Sequence, residues 1–331
     1  MNTPPANLGD RDVRQALAAG WALRAADIQY VPKGFGTHHW LAHAQDGARY
    51  FVNVDDLDSK PWLGADRRAT RAGLAAAFAT AIALRDEAGL PFVVAPLPSS
   101  QGHPLEPLAD RYAISLFPFV DGVGAGYADG MSLEDRETLF RLLAALHAAA
   151  VTARPPRREP EIPGRADLQA ALAALRLPWT AGPFSELARA ELARHADTVR
   201  HHLADFDDLA RRAGGGPLVV THGEPHPGNI LRAADGLRLV DWDTVALARP
   251  ERDLWMLDDG SPDAFAAYTA AGGPSPDPAA IALHRLAWPL TDVALFTATL
   301  RSPHTENADT RLAWKSLRDT LAHLAAMHPD A

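Results

Sequence analysis

The sequence predicts an α+β protein of two lobes: a five-stranded antiparallel sheet with one helix over residues 1–120, then a larger, mostly helical part over 121–331. Three observations predict it. Up to Phe119 the chain reads as short β-branched and aromatic runs separated by Gly, Pro and Asp-Gly turns. Beyond Gly130 apolar residues recur at helical spacing instead. The 331 residues, 47% of them hydrophobic, exceed one ordinary domain and can bury a sizeable core.

Taken in order, residues 12–19 read as a short helix that Gly20 can stop. Residues 26–31 form the first strand, K-G-F-G-T-H-H-W a turn, and 41–43 the core of a second strand. Asp46-Gly47 marks a hairpin, and residues 48–54 form the return strand. Gly34 and Gly36 would let the backbone close over a ligand where a Cβ would obstruct it, although a plain hairpin turn explains the same residues. Residues 66–87 form an Ala-rich helix, and 91–97 and 112–119 supply the fourth and fifth strands. Ser132 caps a helix in which Leu139, Leu142, Leu143 and Leu146 recur at i, i+3, i+4 and i+7, ending in L-A-A-L-H-A. His147 there reads as a packed or solvent-edge histidine and not a ligand. A Pro-rich surface connector spans 155–163. Leu192, Ala196, Val199, Leu203 and Phe206 mark one long amphipathic helix stopped by Gly214-Gly215-Gly216. Helices near 262–271, 278–300 (with Pro289 as a kink) and 308–328 complete the chain.

The chemistry concentrates in residues 217–257, PLVVTHGEPHPGNILRAADGLRLVDWDTVALARPERDLWML. Residues 218–221, 230–232 and 237–241 read as three small strands with polar ends, and 233–236 as the turn between the last two. A hairpin there puts Asn229 and Asp241 at neighbouring strand ends, where two oxygen ligands could share one hard cation such as Mg²⁺. Glu224 lies on the loop beside them, placed to meet a substrate hydroxyl. Turn residues capping strand ends would account for Asn229 and Asp241 singly, but their joint spacing favours metal. His222 and His226 stand four apart, yet Pro225 and Pro227 forbid the helix that would pair them on zinc.

H-G-E-P-H-P-G-N followed by V-D-W-D and E-R-D-L resembles the aminoglycoside phosphotransferase family, which has the protein-kinase-like fold, and most of all its spectinomycin-phosphorylating branch. The resemblance implies a nucleoside triphosphate, ATP or GTP, and Mg²⁺ as cofactors, with transfer of the γ-phosphoryl group to a hydroxyl of an antibiotic-like acceptor. It implies roles residue by residue: Glu224 as the catalytic carboxylate, Asn229 and Asp241 as metal ligands with Asp243 as a second-sphere or second-metal partner, and His222 and Asp253 as structural supports of the loop. It also implies nucleotide contacts from Lys33, Gly34, Gly36 and the position of Asn53, and base contacts from Phe119 and Val120 where the lobes meet. A strand-end turn would explain the last two equally. Two departures stand out. Glu224 replaces the family's Asp, and Asn53 replaces the strand lysine whose helix glutamate is absent as well. Losing both members of an ion pair leaves no unpaired buried charge. Lys33, Lys60 or one of several arginines would then supply the positive charge.

Composition bounds the partners. There are no cysteines, which excludes disulfides, thiolate metal sites and cysteine nucleophiles. The N-terminus lacks a basic start followed by an apolar core, and no run reaches membrane-spanning length, so a cytoplasmic location is the expectation. A net charge of −9 argues against a nucleic-acid partner and suits a small cationic, hydroxylated acceptor. No membrane contact and no obligate protein partner is expected. Among the acids of residues 241–263, Asp258 and Asp259 are candidates to bind acceptor amines, with Asp292 and Glu306 on later helices; solvated surface is the alternative for each. Against the kinase reading stands a kinase-like pseudoenzyme or nucleotide-dependent binding protein without phosphotransfer, since strand Lys, helix Glu and catalytic Asp are all replaced. A third reading is another nucleotide-dependent transfer in which altered phosphate contacts turn the nucleotide around.

Overall fold

A computed structural model describes residues 1–5, 7–34, 36–126 and 129–327. Phe35 of the Gly turn and the expected helix end at His328 lie outside the described residues. The chain forms two compact units, residues 1–158 with 216–276, and residues 159–215 with 277 onward.

The first unit opens with α1 (Asp10–Trp21). Gly20 does not stop this helix: a Cβ there would sit 3.3 Å from the Glu106 side chain, so the glycine serves close packing, and Ala22 ends the helix with φ 53°. Then come β1 (Ala25–Val31), β2 (Thr37–Ala44), β3 (Arg49–Asp56), α2 (Arg67–Asp86), β4 (Glu106–Leu108) and β5 (Tyr112–Pro118), the strands forming an antiparallel sheet in the order β1-β2-β3-β5-β4. The expected five strands are present, but residues 91–97 are not the fourth. Pro91 and Pro96 remove donors that a ladder needs. The segment bonds Leu239, through the Phe92 carbonyl at 2.8 Å and the Val94 N–H at 3.0 Å, and touches the sheet through one bridge, the Leu97 N–H donating to the Leu116 carbonyl at 2.7 Å. The fourth strand is Glu106–Leu108, whose Pro107 is tolerated because β4 lies at the sheet edge.

Strand alternation gives the sheet two faces. Ile28, Trp40, Ala42, Val52, Val54, Ile114 and Leu116 pack with Val13 and Leu17 of α1. On the other face Phe51, Ala113 and Phe117 pack with Leu74 and Phe78 of α2, together with Val94, Leu105, Val120 and Val240. Along this second face the register places His39, Asn53 and Ser115 in one row and Thr37 and Asp55 in the next, so apolar rows give way to polar ones toward the Gly turn.

After β5 the chain forms β6 (Gly122–Gly124) and α3 (Leu133–Ala148), which Ser132 caps by accepting from the Asp135 N–H at 3.1 Å. It then passes through α4 (Arg165–Ala173), α5 (Ser185–Arg194) and α6 (Ala196–Arg212) of the second unit. The single helix expected through Leu192 and Phe206 is thus two, broken at His195 (φ −106°, ψ 10°). Leu192 and Ala196 still reach one core, so apolar spacing alone could not show the break.

Back in the first unit, β7 (Val219–Thr221), β8 (Ile230–Ala233), β9 (Gly236–Leu239), β10 (Ala246–Ala248), α7 (Glu251–Leu254) and α8 (Ala266–Ala270) follow. Strand β7 pairs with β10, and β6-β8-β9 form a small sheet. The last helices, α9 (Pro278–Arg301) and α10 (Ala308–Met327), belong to the second unit, whose core they share with α4, α5 and α6 through Leu168, Leu192, Leu203, Leu290 and Leu317. Pro289 sits inside α9 without ending it. Among the described residues no helix is long and apolar enough to cross a membrane.

Candidate functional site

The β8–β9 hairpin forms as its turn residues require, with Ile230 opposite Leu239. The Val240 N–H donates to the Asn229 carbonyl at 3.0 Å, extending the pairing by one step and bringing Asn229 and Asp241 to adjacent strand ends. Asn229 spends its Nδ2 on the Glu224 carbonyl at 3.0 Å, so its Oδ1 is the atom available to a cation. Asp241 has φ 67° and ψ 63°, the left-handed region that costs a non-glycine residue free energy. Its side is open to water, and among the described residues its carboxylate has no hydrogen-bond partner. Dehydration by the protein packed around it, and the carboxylates of Asp243, Glu224 and Asp55, push its pKa well above the ordinary value, with Lys60 opposing. A strained, unpartnered carboxylate among like charges is what a bound divalent cation would relieve. Two oxygens are few for a hard cation, which suits Mg²⁺, an ion that keeps several waters and takes phosphate oxygens. Among the described residues no group of three or more His, Asp or Glu could hold a metal.

The loop carrying Glu224 is held from behind. The Asp253 carboxylate accepts from the backbone N–H of His222 at 2.8 Å and of Gly223 at 2.6 Å, and from His147 Nε2 at 3.1 Å. Burial alone would raise the Asp253 carboxyl, but the His147 hydrogen bond, with the charges beyond it, holds it below the usual value. His147 is the packed histidine, not the solvent-edge one, and its Nδ1 faces the Tyr268 hydroxyl at 2.8 Å. His222 is fully buried, which lowers its pKa. Its Nε2 donates to the Val240 carbonyl at 2.9 Å and its Nδ1 accepts from the Glu224 N–H at 3.2 Å, so one neutral tautomer satisfies both. Gly223 has φ 101°, and a Cβ there would meet the Arg252 guanidinium at 2.3 Å. Glu224 itself is half-buried, with Oε2 3.9 Å from His226 Nε2.

The Gly turn is tied to this site through Lys60. Gly34 and Gly36 both have positive φ, 76° and 71°. Thr37, just after them, donates to Asp55 Oδ1 at 2.8 Å. The Lys60 Nζ lies 3.1 Å from the same Asp55 oxygen and 2.5 Å from Asp243 Oδ2, with the Lys60 side chain only 2% exposed. Burial would strip its proton, but Asp243 and then Asp55 outweigh burial and raise its pKa. One ammonium between two carboxylates leaves an excess negative charge, and burial with that excess pushes the Asp55 carboxyl up despite Lys60. Asp243 is therefore engaged by Lys60, while Lys33 is exposed on the turn. Asn53, at 8% exposure, accepts from His39 Nδ1 at 2.9 Å.

Residues 27–284 match the model of the phosphotransferase enzyme family. The chain belongs to that family. The resemblance carried by H-G-E-P-H-P-G-N, V-D-W-D and E-R-D-L is borne out at this level. Protein StrN of Streptomyces griseus is 28% identical over 327 residues, covering 91% of this chain and 96% of that one. Spectinomycin phosphotransferase APH(9)-Ia, solved with ADP and spectinomycin, superposes with a TM-score of 0.75 at 15% identity, covering 97% of this chain and 98% of that chain. Amicoumacin kinase hAmiN, solved with AMP-PNP, Ca²⁺ and Ami, superposes with a TM-score of 0.63 at 12% identity, covering 98% and 95%. At these identities the two structures show the fold, which is kinase-like.

Two further regions of this phosphotransferase-family chain bear on the expected site. Phe119 donates its N–H to the Arg49 carbonyl at 3.3 Å and stacks under the Arg49 guanidinium at 4.2 Å, while Val120 packs on the apolar face beside Phe51 and Phe117. The Phe119 N–H is thus spent. Asp258 and Asp259 lie together in a concavity of about 350 Å³ that also takes in His226 and Pro227 of the loop, Trp255 and Arg136. Arg136 pairs with Asp259 and lowers its pKa to about 2. Asp292 and Glu306 belong to the second unit and are not in this concavity. Sequence reading missed His39 and Trp255 altogether. His39 follows a G-x-G turn at strand spacing, and its match with Asn53 across the hairpin was the available signal.

Proposed function

We propose that this protein is a small-molecule kinase that moves the γ-phosphoryl group of ATP or GTP to a hydroxyl of a cationic, antibiotic-like acceptor. The observation that carries the reading is the Asp241 carboxylate, left-handed, unpartnered and crowded by like charges, beside the Asn229 oxygen. Asn229 Oδ1 and Asp241 would hold Mg²⁺, which when bound neutralises phosphate charge and orients the transferring group. Asp243 serves the site through Lys60, as a second-sphere partner. Residues 1–120 supply the nucleotide lobe and 121–331 the catalytic loop and acceptor site. The base lies on the apolar rows of Phe51 and Val120, held by the Phe119 carbonyl and Val120 N–H, with Lys33, Gly34, Gly36 and Asn53 toward the phosphates.

Glu224 positions the acceptor hydroxyl and takes its proton as the new O–P bond forms. Because phosphoryl transfer has a loose transition state, the carboxylate mainly orients the nucleophile, and a side chain one methylene longer than Asp can do so. Asp253, His147 and His222 fix the loop backbone so that this reach is reproducible. The acceptor enters the concavity beside His226. There Asp258, with Asp259 partly offset by Arg136, favours an amine, and Trp255 offers an apolar wall. A cytoplasmic location is part of this proposal. Incubation with γ-labelled ATP or GTP, Mg²⁺ and a panel of aminocyclitol acceptors tests the reading. Labelled acceptor is the expected product; tight nucleotide binding with no transfer to any hydroxylated amine would favour the kinase-like binding protein instead.

A further inference from the structure

The position taken by Asn53 faces the phosphate end of the sheet, yet Asn53 is uncharged and bonded to His39. His39 is half-buried on β2, its ring lying 5.1 Å from that of Phe51, and its Nε2 reaches the space beneath the Gly turn, 3.4 Å from where a Gly34 Cβ would stand. Among the described residues that Nε2 has no hydrogen-bond partner, while Nδ1 is held by Asn53 Oδ1 at 2.9 Å. We propose that His39 is a nucleotide-phosphate contact that donates from Nε2–H as a neutral imidazole, with Asn53 as the positioning residue whose amide rotates on binding, so that Nδ2–H donates to Nδ1 in place of the Oδ1 contact made in the free protein. This rests on the nucleotide-binding part of the proposed function.

Electrostatics favours a neutral donor. The charged groups that face His39 are Lys60 from the turn after β3, Lys33 from the Gly turn and the Met1 amino group, all cationic. Burial first, and then these cations, hold its pKa down at about 3 despite the Asn53 bond. Binding phosphate as an imidazolium at pH 7 would therefore forfeit roughly 10⁴-fold in affinity, one decade per pH unit. A neutral donor avoids that loss, provided the proton sits on Nε2. Asn53 makes the exchange possible where Asp or Lys would not. Its Oδ1 accepts from Nδ1–H, and after rotation of the amide its Nδ2–H donates to a bare Nδ1. No net proton is gained or lost when the imidazole changes tautomer in this way. Gly34, lacking a Cβ, leaves the phosphate room to reach Nε2.

The test compares ATP·Mg²⁺ with adenosine on wild type, His39→Ala, His39→Gln and Asn53→Leu, by titration calorimetry in two buffers of different ionisation heat. Wild type should bind ATP with no proton uptake assigned to the protein near pH 7. His39→Ala should bind ATP roughly ten- to a hundredfold more weakly, the loss of a hydrogen bond to a charged group, and adenosine unchanged. His39→Gln should recover most of the ATP affinity, because an amide N–H can replace Nε2–H, and its melting curve should match wild type. Asn53→Leu should weaken ATP but not adenosine. Equal losses for ATP and adenosine, no loss for ATP, or uptake of one proton in wild type that vanishes in His39→Ala would each overturn the inference. If wild type binds adenosine and ATP alike or not at all, both the inference and the nucleotide reading fall; if it binds ATP selectively and only the His39 variants misbehave, the inference alone falls.

Discussion

Replacing Lys60 by Met should unfold this protein more readily by an amount that pH controls. The Lys60 ammonium is 2% exposed and lies between Asp55 Oδ1 at 3.1 Å and Asp243 Oδ2 at 2.5 Å. Met fills much of the same volume without charge, so the variant keeps packing and strands two carboxylates. Breaking a buried ion pair from one side costs about 3–5 kcal/mol. A separate route gives a similar figure. The variant can escape by protonating one carboxyl, and from an ordinary value of 3.8 this costs about 4 kcal/mol at pH 7 and about 1.6 kcal/mol at pH 5, at about 1.36 kcal/mol per pH unit. In the variant the folded carboxyl has a pKa above its unfolded value, so its contribution is most favourable below the unfolded pKa and is lost as pH rises. The destabilisation should therefore shrink on acidification. In wild type, Lys60 has a folded pKa above its unfolded value of 10.5, so its stabilisation is present throughout neutral pH and fades only above that value. Urea unfolding of both proteins at pH 7 and pH 5 measures the difference, with a melting shift of roughly 4–7 °C at pH 7. A loss under about 1 kcal/mol at pH 7, or a loss that does not diminish at pH 5, would refute the buried triad as the reason.

Asp241→Asn should abolish the Mg²⁺-dependent rise in melting temperature given by nucleotide while raising the metal-free melting point slightly, since Asn tolerates φ 67° and removes one of several crowded carboxylates; an unchanged nucleotide shift sinks the metal assignment. Gly223→Ala should cost more than about 2 kcal/mol, because φ 101° strains any side chain and its Cβ would strike Arg252, which is itself tied to Thr221 at 2.8 Å and to the Thr244 carbonyl at 2.9 Å; wild-type stability in that variant would show that the loop relaxes freely. Burial pushes the Asp292 carboxyl up to about 7, so the contribution of this group to stability should fall as pH rises from the unfolded value of 3.8 through 7. Asp292→Asn should flatten that slope, by roughly 4 kcal/mol at most above pH 7, and an identical pH profile for both proteins would contradict it.

Much of this architecture could be read from residue order. The hairpin that brings Asn229 to Asp241, the cap at Ser132, and the alternation of the sheet follow from local chemistry that the sequence displays directly. What escaped were features set by distant partners. Residues 91–97 have strand-like composition, yet the Phe92 carbonyl and Val94 N–H go to Leu239, far along the chain, and Leu97 meets the sheet by a single bridge to Leu116. Lys60 could be named as a candidate cation, but its capture by Asp243 depends on how the turn after β3 packs against the D-W-D motif. His147 carries no signal that it will meet Asp253 and Tyr268, because three elements must first assemble. The row of His39, Asn53 and Ser115 was legible only in part, through the hairpin register.

The most direct measurement is single-turnover phosphoryl transfer by wild type and Glu224→Gln, with an acceptor that the wild type labels, at saturating nucleotide and Mg²⁺. Gln keeps the length and hydrogen-bonding shape of Glu but cannot take the hydroxyl proton, so nucleotide affinity should hold while transfer falls by roughly 10²-fold or more. Transfer at the wild-type rate by the Gln variant would contradict the account.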